Sequence, residues 1–401
     1  MLTGKRILLG VSGSIAIYKT AEWVRELKRA GAEVTVVMTG DATRFVTPLT
    51  FAALSGRKVH TEMFAPGDEE LIPHITLARE HDLILIGPAT ARTIARLAQG
   101  MADDLLSTVV LAAKVPVIVC PAMNSNMFLH PATQANIKRL TDYGYRLVEP
   151  GCGQMACREE GPGRLADWPL VRETVLSALA GQDLAGHKVL VTAGPTFEPL
   201  DPVRYLGNHS TGRMGFALAL TARRRGAEVT LISGPTTLPD PPGITTIRVT
   251  TASEMALAVF SRADECAAVV KAAAVSDFRP ANFSPEKLKK SGAAPQLELA
   301  SNPDILKTLG ERKGQQAKLP ILVGFAAESG ACLDEGWRKL ADKNLDLLAF
   351  NDITAAGAGF ATETNLITIL DRNGGQEKLP LLSKEEAADL IWTRVAKLLN
   401  R

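Results

Sequence analysis

The chain has 401 residues, enough at about 150 per domain for two or three domains. Hydrophobic residues make up 46% and charged residues 22%, so each half has the material for a sizeable core. With 45 Lys and Arg against 43 Asp and Glu, the formal charge is only +2, which excludes the strongly basic surface that non-specific nucleic-acid binding needs. An anionic ligand must be held by local charge. Five scattered cysteines (Cys120, Cys152, Cys157, Cys266, Cys332) form no CxxC pair, and the histidines show no HxxxH or HExxH spacing. That argues against a disulfide framework and a structural zinc site. No apolar run reaches the ~20 residues of a membrane span and no signal pattern opens the sequence, so a cytoplasmic protein without membrane partners is expected.

In chain order, Lys5-Arg6-Ile7-Leu8-Leu9-Gly10-Val11-Ser12-Gly13 reads as an apolar strand meeting a Gly-Ser turn. A helical stretch follows and ends in Gly31 before a second strand, Ala32-Glu33-Val34-Thr35-Val36-Val37. Leu83–Ile86 and Val115–Val119 are further buried strands, each followed by Pro and small residues. Gly151–Arg164 is rich in Gly and Cys and shows neither helical nor strand period, which suggests an active-site flap. The seam falls near Ala180–Gly186, giving expected domains 1–181 and 182–401. The pattern then restarts. His187–Pro195 matches the first strand and turn, and Gly226-Ala227-Glu228-Val229-Thr230-Leu231-Ile232 nearly repeats residues 31–37. A βαβ unit therefore occurs twice. Ala267–Val270, Ile321–Val323, Leu345–Phe350 and Leu366–Leu370 continue the second set of strands, and Asp371-Arg372-Asn373-Gly374-Gly375 predicts a hairpin turn. Pro280–Pro295 is a polar loop. The fold class is α/β, two doubly wound Rossmann-like domains with a small antiparallel extension.

Several segments carry chemistry. Gly10-Val11-Ser12-Gly13-Ser14 opens a helix and offers backbone N–H groups and two hydroxyls to a phosphate. Thr39, not a carboxylate, ends the second strand, which disfavours NAD and suits a mononucleotide such as FMN. His74 follows Pro73 at a helix start; on spacing alone a surface or core histidine is the simpler reading. Asn124, in Pro121-Ala122-Met123-Asn124, lies at a carboxyl strand end, either to bind a carboxylate or amide or to cap the next helix. Cys157 sits among charged residues and glycines rather than in an apolar run, which favours function. Thr192–Arg204 is a proline-stiffened loop leading into Leu206-Gly207-Asn208-His209-Ser210-Thr211-Gly212-Arg213. Its density of Gly, hydroxyls, Asn and Arg is hard to explain by packing and points to nucleotide or substrate binding. Lys287-Leu288-Lys289-Lys290 is ordinarily a solvated face, and gains meaning only if a triphosphate must be closed over.

Taken together and in this order, these segments resemble the bifunctional family that fuses phosphopantothenoylcysteine decarboxylase to phosphopantothenate–cysteine ligase. Further matches are Ala272-Ala273-Ala274-Val275-Ser276-Asp277, Asn302-Pro303-Asp304-Ile305 and Gly324-Phe325-Ala326-Ala327-Glu328. The resemblance implies a flavodoxin-like decarboxylase domain and a Rossmann- or ribokinase-like ligase domain. FMN would lie on Gly10, Ser12, Gly13, Ser14, Thr39 and Ser107, with His74 as base, Asn124 gripping the substrate carboxylate and Cys157 returning a proton. CTP, with Mg²⁺, would lie on Lys271, Ala272, Ala273, Asp277, Lys287, Pro303, Asp304, Ile305, Leu306, Phe325, Lys339 and Lys343. Met123, Asn124, Arg164, Arg204 and Asn208 would contact phosphopantothenate, cysteine or phosphopantothenoylcysteine, with Asn208 and Lys287 acting in the ligase reaction. The implied assembly is a homo-oligomer, a dodecamer of decarboxylase trimers and ligase dimers. Two departures stand out: Arg158-Glu159 follows Cys157 where the flap commonly has Gly-Asp, and Lys271 stands where some relatives have Gly. The resemblance leaves one rival of another class, a non-catalytic flavin-binding regulatory subunit, which predicts the loss of His74 or Cys157; this chain keeps both.

Overall fold

The structure, a computed structural model, describes residues 2–64, 72–154, 159–288, 296–313, 320–328, 333–352 and 362–400. The chain forms two compact units, Met1–Ala180 and Gly181–Arg401. No helix among the described residues is long and apolar enough to cross a membrane.

The first unit is built on β1 (Arg6–Val11), β2 (Glu33–Met38), β3 (Val59–His60), β4 (Leu83–Ala89), β5 (Val117–Pro121) and β6 (Arg146–Leu147), all parallel in the order β3-β2-β1-β4-β5-β6. Its helices are α1 (Ile17–Arg29), α2 (Pro48–Ser55), α3 (Pro73–Arg79), α4 (Ala91–Gln99), α5 (Leu105–Ala112), α6 (Ser125–Leu129), α7 (Pro131–Asp142) and α8 (Trp168–Leu179). Strand parity sorts the core. Ile7, Leu9 and Val11 pack with Trp23, Leu27, Val171 and Val175 on one face; Leu8, Ile84, Ile86 and Val119 pack with Ile94, Leu106 and Val109 on the other. Both faces are covered, so the strands read as continuous apolar runs. The strand order reverses between β1 and β4, which opens a crevice at their carboxyl ends.

The expected flap is a β-hairpin, β7 (Gly151–Gln154) against β8 (Glu160–Arg164). It has no side-chain period because glycines fill it, and its pairing comes from the backbone alone. Residues 155–158, including Cys157, lie outside the described residues.

The second unit contains β9 (Lys188–Ala193), β10 (Phe197–Pro199), β11 (Tyr205–Gly207), β12 (Glu228–Ser233), β13 (Thr245–Arg248), β14 (Ala268–Lys271), β15 (Phe278–Pro280), β16 (Leu299–Ser301), β17 (Ile321–Glu328), β18 (Leu347–Asp352), β19 (Thr364–Asn365), β20 (Ile367–Asp371), β21 (Gln376–Lys378) and β22 (Leu382–Ser383). The helices are α9 (Arg213–Arg224), α10 (Ala252–Phe260), α11 (Ile305–Lys313), α12 (Leu333–Asp342) and α13 (Lys384–Leu399). Eight strands form one sheet, β13-β12-β9-β14-β17-β18-β20-β21, parallel as far as β18 and antiparallel from β20. The β20–β21 turn is closed by Asp371, whose carboxylate accepts from the Asn373 N–H at 2.7 Å and the Gly375 N–H at 3.2 Å. Val189, Val191 and Ala193 face α9 and α13; Leu190 faces α10 and α11. Two short ribbons, β10–β11 and β15–β16, rise from the loops at the carboxyl end of this sheet.

Candidate active sites

In the first unit, Val11 ends β1 and the chain turns into α1. The buried Ser12 hydroxyl donates to the Pro88 carbonyl at 2.7 Å and accepts from the Thr90 N–H at 3.0 Å, which pins this turn to the one after β4. The Ser14 oxygen accepts from the Ala16 N–H. The N–H groups of Gly13, Ser14 and Ile15 meet no acceptor among the described residues. Free N–H groups at the start of a 13-residue helix carry partial positive charge, the arrangement that receives a phosphate. The other residues expected to hold the cofactor are engaged within the fold. Gly10 lies against Leu106. The Thr39 oxygen accepts from Ala42, and the Ser107 hydroxyl donates to Asp104 in the capping box of α5. These residues shape the turn and leave the unpaired N–H groups to face a ligand.

Beside that turn is a cavity of about 580 Å³, lined by Ser14, Ile15, Ala16, Tyr18 and Lys19, by Ala122, Met123 and Asn124, and by Gln154, Gly163, Arg164 and Leu165 of the hairpin region. Asn124 does both things its carboxamide allows. Its Oδ1 caps α6 by accepting from the Asn126 N–H at 2.8 Å, and its Nδ2 donates to the Glu159 carboxylate. The hairpin is docked on the same segment: Met123 N–H donates to the Gly163 carbonyl at 2.9 Å, and the Ser125 hydroxyl to the Pro162 carbonyl at 2.8 Å. Glycine is required at 163, where φ is +134° and a Cβ would stand 2.3 Å from the Met123 carbonyl oxygen. His74 is in the first turn of α3 and does not line this cavity. Its Nδ1 is buried with no hydrogen-bond partner among the described residues.

In the second unit, Asn208 lines a cavity of about 450 Å³ with Ser210, Thr211, Arg213 and Thr236. Its Nδ2 donates to the Val275 carbonyl at 3.0 Å, and Asn302 Nδ2 donates to the Ser276 carbonyl at 2.9 Å, so two asparagines grip the loop after β14. That loop is pinned further where the Thr192 and Thr196 hydroxyls accept the N–H groups of Ala273 and Ser276. Lys271, at the end of β14, has Lys343, Lys339, Asp304 and Asp277 as its charged neighbours. Lys343 pairs with Asp304 at 2.8 Å, and Asp304 also accepts the Lys307 N–H of α11. Burial pushes the Asp304 carboxyl up, but the Lys343 ammonium, the Lys307 N–H and the Lys271 charge outweigh it and leave it below its ordinary range. Three lysines and two carboxylates thus gather at the carboxyl end of the central strand β14.

Ala272 is half-buried beside this cluster, Pro303 is exposed, and Phe325 packs against the α9–α13 core. Ile305 and Leu306 are almost wholly buried core residues at the start of α11, so their side chains face the core and not a nucleotide. Arg204 and Lys287 are exposed, on the β10–β11 turn and the segment after β15. Lys289 and Lys290 lie outside the described residues.

The Thr192–Arg204 loop is more structural than its composition suggests. Besides the two threonines, buried Glu198 accepts the Ala252 N–H of α10 at 2.9 Å, and buried Asp201 accepts three backbone N–H groups. The Asp-Pro pair is a turn signal, but nothing in the sequence says which distant N–H a buried carboxylate will reach.

Residues 1–180 match the family model described as Flavoprotein, and residues 184–399 match the one described as DNA/pantothenate metabolism flavoprotein C-terminal domain. A coenzyme A biosynthesis bifunctional protein CoaBC from Bacillus subtilis is 45% identical over 99% of this chain and 98% of its own length. One of the same description from Vibrio vulnificus is 45% identical over 100% of this chain and 99% of its own. A solved structure described as the C-terminal domain of such a protein is 37% identical and covers 55% of this chain and 99% of its own, with a TM-score of 0.47. On this likeness the chain belongs to the family of coenzyme A biosynthesis bifunctional proteins.

Proposed function

We propose that the first unit decarboxylates phosphopantothenoylcysteine with FMN and that the second joins cysteine to phosphopantothenate at the expense of CTP. A decarboxylase and a ligase of coenzyme A biosynthesis are what the family carries, and the relatives compared give no support to a non-catalytic flavin-binding role. The observation that carries the decarboxylase assignment is Asn124. Its amide already donates to a carboxylate, that of Glu159, at the edge of a cavity beside unpaired helix N–H groups.

In that reading the N–H groups of Gly13, Ser14 and Ile15 take the FMN phosphate, and the cavity over the ends of β1 and β5 takes the rest. The flavin supplies a reversible two-electron oxidation of the cysteinyl thiol, which makes loss of the neighbouring carboxylate easy. Asn124 Nδ2 gives up Glu159 for the substrate carboxylate, a like-for-like exchange that keeps the amide satisfied. Arg164 lines the same cavity and supplies positive charge for an anionic substrate. His74 holds the proton taken in the oxidative step, and Cys157 returns one after CO₂ leaves. His74 does not line the Asn124 cavity, and its Nδ1 is buried without a partner among the described residues, which leaves that nitrogen available to a proton. The homo-oligomeric working form follows from the resemblance to the bifunctional family.

In the second unit, the phosphopantothenate carboxylate attacks the α-phosphorus of CTP, giving an acyl-cytidylate and pyrophosphate. The cysteine amine then displaces CMP. Lys271, Lys339 and Lys343 oppose the triphosphate charge, and Mg²⁺ enters with CTP as part of the substrate. Asn208 has Nδ2 fixed on Val275, so its Oδ1 is aimed and free to accept from the incoming amine. Given phosphopantothenate, cysteine and MgCTP, the purified chain should form CO₂, CMP and pyrophosphate in equal amounts. With phosphopantothenoylcysteine it should release CO₂ without CTP. CO₂ release that always needed CTP would contradict the assignment.

A further inference from the structure

Asp201 occupies the turn between β10 and β11, and its side chain is wholly covered. Oδ1 accepts from the N–H groups of Val203 and Arg204, both at 2.8 Å, and closes a local turn. Oδ2 reaches a segment 87 residues further along the chain, accepting from the Leu288 N–H at 3.2 Å. The same oxygen lies 3.8 Å from the Arg204 guanidinium, which itself donates to the Leu288 carbonyl at 3.0 Å. Beside these contacts the Ser284 N–H donates to the Leu200 carbonyl at 3.0 Å. The segment ending at Lys287 and Leu288 is therefore laid along the Arg204 turn, and one carboxylate joins the two.

A buried charge is costly unless each of its lone pairs is met. The turn alone does not need that charge, because an asparagine Oδ1 would close it equally well. What needs a second anionic oxygen is the Leu288 N–H across the gap, together with the Arg204 guanidinium on the turn, which itself donates to the Leu288 carbonyl. Lys287 immediately precedes the captured amide.

We propose that Asp201 is a positioning residue of the ligase, holding the segment that carries Lys287 against the Arg204 turn so that the lysine and the arginine meet their substrates as one unit. The functional part rests on the proposed ligase reaction and on the CTP and substrate contacts that the family resemblance implies for Lys287 and Arg204.

Asp201→Asn in the full chain isolates the device. It keeps Oδ1 and the turn, but sets an N–H₂ group against the Leu288 N–H and the Arg204 guanidinium. The expected result is a KM for CTP raised about tenfold, the loss of one charge-assisted contact, with kcat at saturating CTP changed less than about threefold. Deuterium uptake over 281–288 should quicken, and CO₂ release from phosphopantothenoylcysteine should be unchanged. Adding Asp201→Asn to Lys287→Gln should add little, because both act through one contact. A folded Asp201→Asn protein with wild-type KM and wild-type uptake would overturn the proposal, as would fully additive penalties. Lys287→Gln with wild-type CTP dependence would instead remove the lysine from the nucleotide site. The clasp itself would then stand or fall on the exchange of 281–288 alone.

Discussion

Lys271 stands where removal from water, and the Lys343 and Lys339 charges, push its ammonium down to about 8 against the opposing pull of Asp304 and Asp277. Its ordinary value is 10.5, so above about pH 8 the folded chain binds fewer protons here than the unfolded one, and this group's contribution to stability rises with pH across that window. Binding has the opposite sign, since an anion stabilises the protonated lysine. The KM for CTP should therefore climb as pH rises through about 8, and Lys271→Met should flatten that climb while raising KM at pH 7. An unchanged climb in the methionine variant would place the titrating group elsewhere. At Asn124, substitution by Asp sets two carboxylates against each other and removes the amide donor. CO₂ release should fall about 10²-fold, the usual scale for losing one positioned donor, while CMP formation is untouched. Residues of this kind are only half legible in the sequence. A strand-end asparagine reads equally as cap or ligand, and here its two ends do the capping and hold a carboxylate. The bonds that Asp201 makes to Leu288 and Glu198 to Ala252 are silent, because those partners lie 87 and 54 positions away in the chain.

Elements were more legible than residues wherever both faces of a strand are covered. Leu83–Ile86 lies within β4 and Ile321–Val323 within β17, because continuous apolar runs have one use in a sheet covered on both sides. Edges drift by a residue or two: Val115–Val119 becomes Val117–Pro121, and Ala267–Val270 becomes Ala268–Lys271, which brings Lys271 onto the strand end. The Gly151–Arg164 hairpin escaped because glycine strands carry no side-chain alternation. Its docking is testable at Gly163. Gly163→Ala drives a Cβ into the Met123 carbonyl, so the hairpin must lift, and CO₂ release should fall at least tenfold with ligation intact. Wild-type decarboxylation by that variant would mean that the docked hairpin is not the working form. In the second unit, fully buried Trp392 of α13 donates Nε1–H to the Leu218 carbonyl of α9 at 2.8 Å. Trp392→Ala should cost about 3–5 kcal/mol, a large share of a stability of ~5–15 kcal/mol. Calorimetry of the full chain should show the second unit's transition moving down.

At the scale of the molecule, the repeated strand–turn–helix start in the sequence corresponds to two sheets, each with its own two-faced core. Two complete cores imply two folding units, and we expect residues 1–180 to retain flavin and residues 181–401 to ligate when made separately. The central claim is that one chain divides two reactions between two units. Its most direct test measures CO₂ release and CMP formation side by side in the full chain carrying either Asn124→Asp or Asn208→Asp. The account expects the first variant to lose CO₂ release and keep CMP formation, and the second to lose ligation and keep CO₂ release when given phosphopantothenoylcysteine. Either substitution abolishing both reactions in a folded protein, or neither affecting its own, would contradict it.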